Sequence, residues 1–214
     1  DSVRRNLPDG FPVRFVCFTD DPSGVDDGIE CRALPPGLIG WWNKLWLFSE
    51  DAGLERALYL DLDTVLVGEI DSLIAYKGSF AILRDFYRHD GLQSSVMAWN
   101  GSHSYIWEKW LEAGKPILPG GDQEWIERVV TEYDLWQDIH PRAFVSYKLH
   151  CQGRKVPPKG ARVVVFHGIP RPHEAFEEWM YAIWKEGGGT LDGADVTWNV
   201  ETSEVVNNIR FACQ

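Results

Sequence analysis

Residues 56–67 read Arg56-Ala-Leu-Tyr-Leu-Asp-Leu-Asp-Thr-Val-Leu-Val67. Ala57–Leu60 is an apolar run of strand length, and it leads without a break into Asp61-Leu62-Asp63. Such a run is a buried strand, and the polar residues after it stand at its carboxyl end. Open α/β sheets gather their ligands at carboxyl ends. Residues i and i+2 of an extended chain point to one side, so Asp61 and Asp63 can face a common point. Two adjacent carboxylates repel unless a cation sits between them. Hard oxygen donors so arranged suit Mg²⁺ or Mn²⁺. The bland alternative has one Asp closing a turn and the other solvated.

Strands and helices alternate on both sides of this run. Before it, Val13–Phe18 reads as a strand stopped by Thr19-Asp20-Asp21-Pro22, and Ile29–Leu34 as a weaker one stopped by Pro35-Pro36-Gly37. Trp41–Phe48 carries apolar residues at a helical spacing. After it, Thr64–Val67 continues extended, Asp71–Tyr76 makes a helical turn or two, and Phe80–Leu83 and Ser95–Trp99 are apolar runs of strand length. Two amphipathic helices follow, one facing inward with Ile106, Trp107, Trp110 and Leu111. The other does so with Trp125, Ile126, Val129 and Val130, and Asp122 is placed to cap it. Arg162–Phe166 is a strong β run ended by His167-Gly168. Helices are expected over Glu174–Trp184, up to Gly187-Gly188-Gly189, and over Ser203–Phe211. The pattern predicts one α/β domain, a mixed sheet with helices on both faces.

Composition narrows the function. The chain has 214 residues, 44% of them hydrophobic and 25% charged, enough for a real core and against a disordered chain. Its net charge of −11, from 21 Lys+Arg against 32 Asp+Glu, argues against nucleic acid as a partner. An anionic ligand would need local help from a cation, a metal or backbone N–H groups. No apolar stretch is long enough to cross a bilayer. The four scattered cysteines read as reduced thiols of a cytoplasmic protein. Most of the 11 tryptophans are assigned to the core.

Besides Asp61 and Asp63, the strand ends offer Thr19-Asp20-Asp21, Arg84-Asp85 and His167-Gly168. Gly168 permits close backbone approach to a ligand. Arg171 lies four residues after His167, between Pro170 and Pro172. An imidazole, two carboxylates and phosphate oxygens would suit an octahedral Mn²⁺, with Arg171 neutralising the remaining diphosphate charge. Ser146-Tyr147-Lys148, ahead of His150-Cys151, fits either a segment shaping an acceptor side or a core strand.

The motif at residues 56–67 resembles the DxD block of GT-A nucleotide-sugar glycosyltransferases. It is most similar to the retaining group that contains glycogenin and bacterial galactosyltransferases. Four further blocks follow that group's order over roughly Trp42 to Pro172: Asn43-Lys44-Leu45, Gln93-Ser-Ser-Val-Met, Gly121-Asp122-Gln123, and His167-Gly168 with Arg171-Pro172. Microbial members with GWWNKL, LQSSVMAW and FHGxPRP signatures are the nearest in kind. The chain departs from the group in three places. Its closing motif is shorter, Arg171 and His173 stand for the usual Lys and Trp, and Ser94-Ser95 stands for a small-Gly pair.

The resemblance implies a GT-A fold and transfer of a hexose from a nucleotide-sugar, a UDP-sugar in the first instance, to an acceptor hydroxyl. It implies Mn²⁺ or Mg²⁺ held by Asp61, Asp63 and His167. Lys44 and Arg171 would contact the diphosphate or donor sugar, with Asp61 also near the ribose and Gly168 beside the donor. Arg84, Asp85 and Gln93 would face the sugar hydroxyls, and Asp122 and Gln123 would lie beside the anomeric carbon. A helix cap is the competing reading of Asp122, and a solvated helix charge that of Lys44. The resemblance further implies that Val13–Phe18 matches the family's second strand, so that the first βα unit, which holds the base, is absent and the domain incomplete at both ends.

Two other readings compete. Asp61-x-Asp63 after an apolar strand also opens haloacid-dehalogenase-type phosphatases, with Asp61 as nucleophile and Asp63 as acid/base. That family needs a later acidic block after a buried strand, and Lys115–Gly120 ahead of Asp122 is no such strand. A non-catalytic sugar-binding module would use Trp41, Trp42 and Trp46 as a stacking patch, although positions 42 and 46 have the spacing of a core stripe.

Overall fold

The computed structural model describes residues 2–186 and 209–213. In chain order its strands are β1 Val13–Phe18, β2 Glu30–Arg32, β3 Arg56–Leu60, β4 Thr64–Leu66, β5 Phe80–Arg84, β6 Leu92–Asn100, β7 Asp134–Leu135, β8 Phe144–Ser146, β9 Val163–Val165 and β10 Ile209–Cys213. Its α-helices are α1 Ser2–Arg5, α2 Asp71–Ile74, α3 Tyr105–Glu112, α4 Gly121–Val129, α5 Trp136–Ile139 and α6 Glu178–Glu186. The chain divides into two compact units. The expected single sheet is instead two.

The larger unit takes residues 12–62 and 76–135 with β10. Its seven-stranded sheet has the order β2-β1-β10-β3-β6-β5-β7. The pairing is mixed: β1 with β2 and β5 with β7 are parallel, and the other pairs are antiparallel. β3 runs antiparallel to both of its neighbours. Alternate residues of the strands, including Val16, Phe18, Ala57, Tyr59, Phe80, Ile82, Met97 and Trp99, enter one apolar core with Ile106 and Trp110 of α3 and Trp125 and Ile126 of α4. The apolar period of these two helices makes them fold against the sheet.

Trp99, Trp110, Trp125 and Trp136 are buried, as expected of core tryptophans. Trp42 stacks on Trp110 at 5.3 Å and Trp46 meets Trp107 edge-on at 5.4 Å. Of the three residues of the supposed stacking patch only Trp41 is mainly exposed, at 58%.

Three expectations change. Gly40–Phe48 is a 3-10 helix, a tighter form that apolar spacing does not distinguish from an α-helix over nine residues. A 3-10 turn at Pro172–Glu174 precedes α6, so the helix expected from Glu174 begins later. Of the helix expected over Ser203–Phe211, residues 203–208 lie outside the described residues. The remainder belongs to β10, whose Ile-Arg-Phe-Ala-Cys sequence is bonded into the gap between β1 and β3.

The smaller unit takes residues 2–11, 63–75 and 136–186 of the described chain. Its three-stranded sheet runs β4-β9-β8, β4 antiparallel to β9 and β8 parallel to it. Val65, Val145, Val164, Phe166, Tyr147 and Met180 form its core. Because β8 and β9 are parallel, with Ser146 opposite Val165, both end on the same edge.

Candidate active site

The chain leaves the larger unit within Asp61-Leu62-Asp63: Asp61 belongs to the larger unit and Asp63 to the smaller. Each carboxylate has its own surroundings.

Asp61 directly follows β3, and its N–H donates to the Ser95 carbonyl at 2.8 Å. The β5–β6 register shifts between Ile82 and Leu83, so Leu83 faces Gln93 while Ile82 faces Met97. That irregularity lies at Ser94 and Ser95, the residues standing for the small-Gly pair. Lys44 projects from the 3-10 helix into the same place. Its Nζ lies 3.1 Å from Asp61 Oδ1, 3.0 Å from Asp122 Oδ2 and 3.1 Å from Ser94 Oγ. Ser94 in turn donates to Asp122 Oδ2 at 2.9 Å, and the Tyr59 hydroxyl donates to Asp61 Oδ1.

Lys44 and Asp122 are buried. Burial opposes the lysine's charge, but attraction by Asp122 and then Asp61 outweighs it and holds the pKa well above the ordinary value. Burial likewise pushes Asp122 upward. Lys44 pulls it back and Asp61 pushes it up again, leaving it above the usual carboxylate range. Burial thus acts against both charged forms; two carboxylates overcome it at Lys44, and one cation shared with Asp61 does not overcome it at Asp122.

Asp122 therefore does not cap α4. The cap position is Gly120, no side chain caps it, and the Asp122 carboxylate is turned inward to Lys44. Gly121, at φ +64°, opens the helix. A Cβ there would stand 2.9 Å from Trp41 Cε3, so glycine lets Trp41 lie against the helix start. Lys44 is no solvated helix charge. Gln123 donates to Asp85 Oδ2 at 3.4 Å, while Asp85 Oδ1 accepts from the Tyr87 and Arg88 N–H groups at 2.7 and 2.9 Å. Arg84 ends β5 half-buried. Gln93 is buried and bonded to Ser95, its Oε1 accepting from the Ser95 N–H at 3.3 Å.

In the smaller unit, the Phe166 N–H donates to the Asp63 carbonyl at 3.1 Å, which sets His167 beside Asp63 along the chain. Arg171 Nη1 meets Asp63 Oδ2 at 2.5 Å. His167 Nε2 lies 2.7 Å from Ser146 Oγ. Gly168 takes φ +73°.

Asp61, Asp63 and His167 have the donor chemistry of a hard divalent ion. As built, the Asp61 carboxylate is engaged by Lys44 and Tyr59, Asp63 by Arg171, and His167 by Ser146. Among the described residues no group of three His, Cys, Asp or Glu side chains converges as a metal site.

Tyr59 was not singled out from sequence. Ser94 carried a signal as part of the Gln93-Ser-Ser-Val-Met block, and Ser146 as part of Ser146-Tyr147-Lys148.

No family model and no curated protein matches this sequence. Among solved structures the fold is similar to the glycosyltransferase GlyE of Streptococcus pneumoniae TIGR4, with a TM-score of 0.53 and 14% sequence identity. The match covers 84% of this chain and 50% of the other, so the chain spans half the length of that protein. The fold is thus a mixed α/β fold similar to that of this glycosyltransferase. No helix among the described residues is long and apolar enough to cross a membrane.

Proposed function

We propose that the protein is a metal-dependent glycosyltransferase that moves a hexose from a nucleotide-sugar, specifically a UDP-sugar, to an acceptor hydroxyl with retention of configuration. One observation carries the reading. In a fold of glycosyltransferase type, Asp61-x-Asp63 directly follows β3, and Asp63 has Arg171 on its carboxylate and Phe166-His167 bonded at its backbone.

Asp61, Asp63 and His167 would hold Mn²⁺ or Mg²⁺, which supplies Lewis-acid stabilisation as charge develops on the departing diphosphate. Arg171, released from Asp63, would bind the phosphate oxygens as a planar cation. Gln123 and Asp85, bonded to each other, would present a polar edge to the donor sugar, with Arg84 beside them. Asp122 is held by Lys44 and Ser94, so it would act as a fixed negative charge near the anomeric carbon. That assignment leaves the acceptor proton to the departing phosphate and suits attack on the face from which the phosphate leaves.

The test is calorimetric titration of the protein with UDP, with and without Mn²⁺, followed by donor hydrolysis. UDP is expected to bind only with the metal, and Asp63→Asn to abolish hydrolysis while melting as the wild type does. Metal-independent binding of UDP, or wild-type turnover in Asp63→Asn, would overturn the assignment.

A further inference from the structure

We propose that Lys148, together with Gly168 and Arg171, forms the anion-receiving edge of the three-stranded sheet and binds the diphosphate of the nucleotide. This rests on the reading above and moves the first phosphate contact from Lys44 to Lys148.

The placement follows from strand direction. β8 and β9 are parallel and in register, so Ser146-Tyr147-Lys148 and Phe166-His167-Gly168 leave the sheet side by side. Tyr147–Cys151 is a single π-helical turn, a form often found at functional sites. It is fixed on both sides of Lys148. Ser146 Oγ accepts from the Leu149 N–H at 3.3 Å, and the Ser146 N–H donates to His150 Nδ1 at 2.9 Å. Tyr147 stacks on Phe166 at 4.3 Å and its hydroxyl donates to Glu177.

The Lys148 ammonium reaches over Gly168. A Cβ at Gly168 would lie 3.4 Å from Nζ, so the missing side chain leaves the ammonium and the backbone of the turn facing the same space. The positive φ of Gly168 keeps that position from ordinary L residues. Among the described residues no ion pair involves Lys148. Arg171 pairs with Asp63, and its backbone N–H donates to Glu174 Oε2 at 2.6 Å, so the ammonium of Lys148 is the cation of this edge without a carboxylate on it among the described residues. Lys44, in contrast, is buried and committed to two carboxylates and a hydroxyl. A phosphate oxygen at Lys148 would gain a charge-assisted hydrogen bond at no expense to an existing one.

With Mg²⁺ or Mn²⁺ present, the test titrates inorganic pyrophosphate and UDP into the wild type, Lys148→Gln, Lys148→Arg and, as a control in the same segment, Lys155→Gln. Each variant's melting temperature is checked. Loss of a charged hydrogen-bond partner is expected to weaken pyrophosphate binding by about tenfold or more in Lys148→Gln. Lys148→Arg should recover most of the affinity and Lys155→Gln should match the wild type. Failure of the wild type to bind pyrophosphate, or wild-type affinity in Lys148→Gln, overturns the proposal. Metal-dependent UDP binding untouched by Lys148→Gln would refute this inference and leave the glycosyltransferase reading standing. Lys148-dependent pyrophosphate binding without any response to nucleotide-sugars would do the reverse.

Discussion

Lys44→Met keeps an unbranched apolar stem and removes the ammonium with its charge and its hydrogen bond to Ser94. In the wild type the ammonium is 3.1 Å from Asp61 and 3.0 Å from Asp122, with side-chain exposures of 9% for Lys44 and 7% for Asp122. Removing one partner of a buried pair costs about 3–5 kcal/mol, because the charge left behind is neither solvated nor paired. Here two carboxylates are left. For a chain of this size each kcal/mol moves the melting temperature by about 2–4 °C, so a fall of about 10 °C at pH 7 is expected.

The sign with pH follows from the same charges. Without Lys44 the Asp122 carboxyl, which burial already holds above the ordinary range, loses the cation that pulls it back, so its folded-state pKa lies above its unfolded one. Such groups add stability below the unfolded pKa and lose it as pH rises through the folded pKa. The deficit of Lys44→Met should therefore shrink as pH falls toward the ordinary carboxylate range, about 4. Thermal unfolding followed by circular dichroism between pH 5 and pH 8, about the usual stability window, measures it. Lys44→Met/Asp122→Asn, which returns the cluster to its wild-type net charge, should recover more than half of the loss. A Lys44→Met protein that melts within about 2 °C of the wild type would refute the buried cluster, as would a deficit independent of pH.

Arg171→Gln should alter stability by less than about 1 kcal/mol, since the Arg171 side chain is 50% exposed in its pair with Asp63, yet weaken UDP binding; denaturant titration and calorimetry separate the two effects. Gly121→Ala should cost about 1–3 kcal/mol by combining a positive φ with the overlap on Trp41, and should shift tryptophan emission as that indole is displaced. Trp110→Ala should cost about 3–5 kcal/mol and Trp41→Ala less than about 1, which denaturant melts compare directly. Thiol labelling at neutral pH should reach the exposed Cys31 and spare Cys17 and Cys151 until the protein unfolds. Burial pushes the Cys151 thiol up to about 11, so its stabilising contribution is complete below the ordinary thiol pKa and is lost as pH rises through that value.

The parts of this fold legible in sequence are those whose partners are local or interchangeable. The apolar runs of β1, β3, β5 and β9 and the spacing of Ile106 and Trp110 announce burial, whatever they are buried against. The two readings of Asp122, a cap or an inward carboxylate, cannot be separated in sequence because its partner, Lys44, is remote, and a helix start looks the same whether its carboxylate faces out or in. Lys44 carries the complementary ambiguity: a lysine beside two tryptophans reads as a surface charge until two carboxylates are brought to it. Thr64–Leu66 was legible as extended but not as the edge of a second sheet, because its partner β9 is chosen by topology. The expectation of an α/β fold with a mixed sheet agrees with the strand order and with the likeness to a solved glycosyltransferase. The geometry around Lys148 was open, since Ser146-Tyr147-Lys148 has the composition of either a core strand or a site loop.

β10 occupies the middle of the seven-stranded sheet, between β1 and β3, although its residues follow every other strand in the chain. During synthesis β1, β2, β3, β5, β6 and β7 emerge first, as two fragments of sheet with open edges on β1 and β3. Neither edge can be closed until Ile209–Cys213 has left the ribosome. Pairing across so long a separation is entropically costly and slow, and unpaired edges recruit foreign strands while they wait. Aggregation during synthesis is therefore expected at two defined strands, β1 and β3, until five residues pair with both.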